Sequence, residues 1–248
     1  MKTFASRRVV PFVILTMLAL ILVQYIWLFL IPGLADTTRL IGAKISECVL
    51  AIVIVAALNW WSEVGFAPRL RWKDFIPALP LLFLPVLMVI FQFNKLQLSN
   101  STQILIFAAL AAMTGFAEET VFRGIPIYAL HSKGYMRAAV FSSLIFGLVH
   151  LLNLLQGANL LATIGQVIFA FLIGFAFAAP LIFTGTIWPI IIFHAIQDFI
   201  AFWTTGGVTN TAPPTISDVV LPIIIMLPVA IYSIWLIHRR DQAQEKSD

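Results

Sequence analysis

Inside apolar stretches of this chain lie Glu47, Glu118, Glu119, Arg123, His150, His194 and Asp198. Carboxylates beside imidazoles can activate water, bind a metal, relay protons or steady an oxyanion. At the centre of a bilayer a charged side chain costs about 2.5–3.5 kcal/mol on insertion scales, so such residues are functional candidates by default. Spacing sorts them. Glu119 and Arg123 are four apart, the separation of an intrahelical ion pair. His194 and Asp198 are also four apart and share one helix face. Glu47 has a plainer reading, because Lys44 lies three residues earlier near a helix end, within side-chain reach. Glu118 has no such partner: Arg123 is five residues away and Thr114 is neutral. His131, in a basic loop, and His238, at a basic helix end, read as solvated.

The elements that must hold these residues are transmembrane helices. Of 248 residues, 61% are hydrophobic and 10% charged, and the mean hydropathy is +1.00. Soluble domains carry about 25% charged residues and cannot hide this much apolar surface. A net charge of +4 with no dense basic block argues against nucleic acid as a partner. Cys48 is the sole cysteine, which excludes an internal disulfide and a multi-cysteine metal cluster. A spanning helix needs roughly 20 mainly apolar residues. Stretches that meet this are Val9–Ile31, Ile41–Trp61, Phe75–Phe93, Thr102–Leu130, Met136–Leu155, Leu160–Phe183, Thr186–Trp203 and Ser217–His238, the fourth interrupted at Gly124–Pro126. The expected fold is an all-α integral membrane protein, a polytopic bundle of about eight transmembrane helices in a single domain over residues 1–248. Lys2, Arg7 and Arg8 precede the first run as in a signal peptide, but that run exceeds an h-region of about 7–15 residues, so an uncleaved anchor is expected.

Eight spans place both termini on one side. That side holds Lys2, Arg7, Arg8, Arg69, Arg71, Lys73, Lys133, Arg137, Arg239, Arg240 and Lys246, whereas the opposite margins hold Arg39, Lys44 and Lys95. Basic residues favour the cytoplasmic side, so both termini are expected there. Depth then gathers the candidates. The fourth and fifth spans form a hairpin with its turn near Lys133–Gly134. Glu118, counted back from that turn, and His150, counted forward, fall at comparable depth and face one another. His194 and Asp198 join them from the short seventh helix, as bundle cores assemble sites from facing helices.

These residues fall in three ordered motifs. Glu118 to Gly124 reads E-E-x-x-F-R-G. Phe146 to His150, with Asn153, reads F-x-x-x-H-x-x-N. His194 to Asp198 reads H-x-x-x-D and follows Thr184-Gly185-Thr186-Ile187-Trp188-Pro189. Together they resemble the CPBP family of intramembrane proteases, the CAAX proteases and bacteriocin-processing enzymes also called the Abi family. The resemblance covers a catalytic core at residues 114–198. It implies an endopeptidase acting on a membrane-anchored peptide or a prenylated CAAX-type protein, within a bacterial plasma membrane. It also implies roles. Glu118 would be the general base and His150 would hold the same water. His194, with Asp198, would polarise the scissile carbonyl, while Glu119 and Arg123 would orient these groups. A carboxylate in a low-dielectric cavity is an effective base there, and fixed donors stabilise an oxyanion more than in water.

Two mechanisms stay open. Two histidines and a carboxylate suffice for catalytic zinc with a further glutamate as base, which makes His150, His194 and Asp198 candidate metal ligands. The alternative uses no metal. Asp198 bears on the choice, because this position is often Asn in the family, and an ionised Asp can only accept hydrogen bonds. Two other functions compete with proteolysis. A proton-coupled transporter would also bury carboxylates and histidines and break its helices at Gly or Pro, but the chain has no repeated halves. A catalytically silent scaffold or immunity factor would keep the fold without the chemistry.

Overall fold

The computed structural model describes residues 8–30, 34, 36–66, 70–92, 101–205 and 215–245. Lys2, Arg7, Ile31, Arg69, Phe93, Lys95 and Lys246, which bear on the spans and topology expected from the sequence, lie outside them. Among the described residues all regular structure is helical. Hydrocarbon offers no water to backbone groups, so a lipid-embedded chain must satisfy them within each helix.

Helix α1 is Val9–Leu30 and α2 is Asp36–Leu58. A 3-10 segment, Trp72–Leu82, carries Pro77 and Pro80 and runs into α3, Phe83–Gln92. Helix α4, Ser101–Glu119, passes through a π turn, Thr120–Gly124, into α5, Ile125–Leu130. Helix α6, Tyr135–Val149, ends in a 3-10 segment, His150–Gln156. Helices α7, Leu160–Thr184, α8, Trp188–Thr205, and α9, Ile216–Glu245, complete the bundle. Among the described residues, seven rods are long and apolar enough to cross a membrane, with α4 to α5 counted as one. The remaining rod is α8, lowered in hydropathy by His194, Gln197 and Asp198. The chain is thus an all-helical polytopic membrane protein. Its lipid-facing surface is apolar, as at Leu15, Leu18 and Leu22 of α1 and Val49 and Ile52 of α2.

The up-and-down order is visible at one end of the bundle. Ser62 and Glu63 after α2, His131 after α5, Tyr135 at the start of α6, Gly185 after α7, and Arg240 near the end of α9 all line one cleft of about 340 Å³. The start of α1 lies at that end too, where Phe12 meets the ring of Trp60 at 5.7 Å. Helix α8 therefore runs away from this end and α9 returns to it, so the chain enters and leaves the bundle on one side. His131 and His238 are both exposed, as expected.

Three local features position the site. First, the break foreseen at Gly124–Pro126 is a π turn just before the proline. Pro126 has no N–H and cannot bond the Phe122 carbonyl one turn back. The Ile125 N–H reaches instead to the Thr120 carbonyl, and the Ser142 hydroxyl of α6 donates to the freed Phe122 oxygen. Second, α4 and α8 meet backbone to backbone at Gly115. A β-carbon there would stand 2.8 Å from the Ile191 carbonyl oxygen and 3.2 Å from the Ala195 nitrogen. His194 is thereby carried to within reach of Glu118 and Glu119. Third, α7 stops at Gly185 in a left-handed conformation, φ 74°, and α8 begins with Trp188 and Pro189. A glycine just past the end and a proline in the first turn are ordinary helix punctuation. The Ile187 N–H between them donates to the Gly65 carbonyl at 3.0 Å, tying the α7–α8 turn to the segment after α2.

Candidate active site

Glu119 is the buried hub. Its side chain is fully enclosed, and its Oε1 accepts a hydrogen bond from His194 Nδ1 at 2.7 Å. A carboxylate only accepts, so Nδ1 carries a proton and Nε2 faces the rest of the site. Glu119 Oε2 stands 3.5 Å from Arg123 Nε, the pair foreseen from their spacing. Arg123 is also wholly buried. Its Nε donates to the Gly174 carbonyl at 3.4 Å, and its guanidinium lies over the Phe146 ring at 3.9 Å. The aromatic face supplies attraction where a cation has left water. Gly174 permits this approach, because a β-carbon there would come within 2.6 Å of Arg123 Nη2.

Glu118 points to the more open side, with a fifth of its side chain exposed. Its Oε2 faces His194 Nε2 at 4.0 Å, and Asp198 Oδ2 lies 3.5 Å from the same nitrogen. Glu119 thus accepts the short hydrogen bond at Nδ1, while Asp198 engages the imidazole at Nε2. His194 also stacks on the Phe177 ring at 5.3 Å. His150 begins the 3-10 segment after α6. Its Nδ1 donates to the Phe146 carbonyl at 2.8 Å, and it interacts electrostatically with Glu118. Phe146, the first residue of its motif, thus serves both Arg123 and His150. Asn153, the last, donates to Gln166 Oε1 at 2.9 Å and stays out of the cluster.

Two points go beyond what spacing along the chain could give. Glu118, without a partner at helical spacing, has a cationic one on another helix: Lys44 of α2, whose Nζ is 3.5 Å from Glu118 Oε1 and 2.9 Å from Glu47 Oε2. Spacing revealed the Glu47 pair but not the tertiary contact, which joins residues 74 positions apart. Lys44 is accordingly largely buried within the bundle. The second point concerns metal. Among the described residues, no three His, Cys, Asp or Glu side chains converge as a metal shell. His150, His194 and Asp198 do not form such a group. The donor set does not fit the zinc site considered above.

Fold and site together define a polytopic helical membrane protein with a buried glutamate–histidine centre. Residues 100–200 match a family model described as Rce1-like, type II CAAX prenyl endopeptidase Rce1-like, which is the family the three motifs resemble. The matched segment contains Glu118, Glu119, Arg123, His150, His194 and Asp198. It supports a CAAX-type intramembrane protease in general. No curated protein and no solved structure matches the chain.

Proposed function

We propose that the chain is an intramembrane endopeptidase that hydrolyses a membrane-associated peptide with water activated by Glu118. The observation that carries this reading is the pairing of Glu118 Oε2 with His194 Nε2 at 4.0 Å beside a locked imidazole. That separation is too long for a direct hydrogen bond and suits a bridging water. In the proposed reaction Glu118 takes a proton from this water, which His150 also holds, and the oxygen attacks the scissile carbonyl carbon. His194 acts as an imidazolium, with Nδ1–H held by Glu119 and its charge countered by Glu119 and Asp198, and donates from Nε2–H to the oxyanion as it forms. Protonated Glu118 then gives its proton to the departing amine as the C–N bond breaks. Arg123 holds Glu119 in place throughout.

The substrate class we propose is a lipid-tethered peptide, with prenylated CAAX-type proteins as the first to try. Purified protein in liposomes is expected to cleave a farnesylated peptide or a membrane-tethered one. Absence of any new peptide terminus from both, with proton flux across the same liposomes, would replace the protease by a transporter. Both termini and the cleft end are proposed to face the cytoplasm, from the basic residues Arg71, Lys73, Lys133, Arg137, Arg239 and Arg240. A Lys133→Cys variant in a Cys48→Ala background should be labelled by an impermeant maleimide only after the cytoplasmic side is opened. Labelling of intact cells would invert the topology.

Asp198 separates the metal-free route from a zinc route. With Asp198 acting as a counter-charge 3.5 Å from His194, Asp198→Asn is expected to retain activity within about tenfold and leave metal content unchanged. Metal analysis and turnover on the same preparation check this. A wild type holding one zinc per chain, whose Asp198→Asn form loses both zinc and turnover, would overturn the metal-free route.

A further inference from the structure

A lysine that reaches Glu118, Lys44, comes from outside the matched segment. Lys44 sits nine residues into α2 and has only 12% of its side chain exposed. Its Nζ lies 2.9 Å from Glu47 Oε2 and 3.5 Å from Glu118 Oε1. Glu47 is 1% exposed, and its pair with Lys44 would suffice as a local ion pair between residues three apart. The reach to Glu118 is an additional tertiary contact. It divides the work of the two Glu118 oxygens: Oε1 is turned to Lys44 and Oε2 to His194 Nε2. A carboxylate held at one oxygen by a buried ammonium has lost the rotation that would carry the other oxygen away from its water.

We propose that Lys44 is a positioning residue for Glu118, with Glu47 as the anchor that holds its ammonium in place. The site is then built by three helices, α2, α4 and α8, with His150 contributed from the end of α6. Helix α2 thereby becomes part of the catalytic apparatus as well as a packing partner of α4. The proposal rests on the reading of Glu118 as the base, and it adds a requirement that this reading lacks. Charge alone is not the point, since Lys44 acts through the orientation it imposes.

The test measures kcat and KM separately for Lys44→Met, Lys44→Arg and Glu118→Gln on one tethered peptide. Misplacement of a catalytic group by about 1 Å costs on the order of 10²-fold in rate. Lys44→Met is therefore expected to lower kcat by about 10²-fold with KM changed less than about twofold, and Lys44→Arg to recover most of the loss. Wild-type kcat for a folded Lys44→Met, alongside an inactive Glu118→Gln, would overturn the positioning role and leave the base assignment standing. Wild-type turnover by Glu118→Gln would overturn both. If Lys44→Met fails to insert, Lys44→Met combined with Glu47→Gln removes both buried charges of the pair. A fall in kcat there supports the proposal, and wild-type kcat overturns it.

Discussion

Glu118→Gln is expected to abolish peptide cleavage while the protein still inserts and melts at the wild-type temperature. Glutamine matches the side chain in shape and keeps an acceptor towards Lys44, so packing is undisturbed. What it lacks is basicity. General-base catalysis contributes about 10²–10⁴-fold, and the same group later supplies the leaving-group proton, so a loss near the upper end is expected. Glu118 is partly exposed and its Oε2 makes no direct hydrogen bond to protein, which is why its removal should spare stability. The check is single-turnover cleavage beside thermal unfolding in detergent. Turnover within tenfold of wild type would remove Glu118 from the role of base.

Glu119→Gln is expected to fail differently, in stability first. Its carboxylate is fully buried, with Arg123 at 3.5 Å on one oxygen and His194 at 2.7 Å on the other. Neutralising it strands the Arg123 guanidinium, whose Nη1 and Nη2 have no hydrogen-bond partner. Breaking one side of a buried pair typically costs about 3–5 kcal/mol. Activity should fall as well, because the imidazole loses its anionic partner. The two losses can be separated by adding Arg123→Met, which removes the stranded cation. The double variant is expected to regain part of the stability and none of the activity. A Glu119→Gln protein as stable as wild type would contradict the hub role.

The contrast between these two neighbours was only half legible in the sequence. Helical spacing exposed the Glu119–Arg123 pair, and counting from the Lys133 turn brought Glu118 and His150 to one depth. Both inferences concern residues on one helix or one hairpin, where the geometry is set by rise and period. Spacing also put Asp198 on the face of His194, which is correct, but could not tell which carboxylate takes Nδ1. That bond crosses between α4 and α8 and depends on how closely Gly115 lets them approach. Lys44 escaped for the same reason. Its sequence neighbour Glu47 offered a sufficient local explanation, and nothing along the chain points from residue 44 to residue 118. Pro126 announced a helix break, yet the form of that break depends on Ser142 of α6, a neighbour only in space.

The π turn at Thr120–Gly124 makes segment length a property of the site. Each residue of an α-helix turns the chain by about 100°. Deleting or inserting one residue between Glu119 and Pro126 would re-phase the two halves of this rod by about that angle. The carboxylates above it face α8 and α2, while Ile127 and Tyr128 below it line the cleft at the end of the bundle. A substitution in this stretch disturbs one contact at a time. A frame change of one residue disturbs every contact on one side of it together, with no side chain altered. Comparisons between this chain and its relatives should therefore weigh gaps in this stretch more heavily than exchanges, and a protein engineer should vary its letters while leaving their number alone.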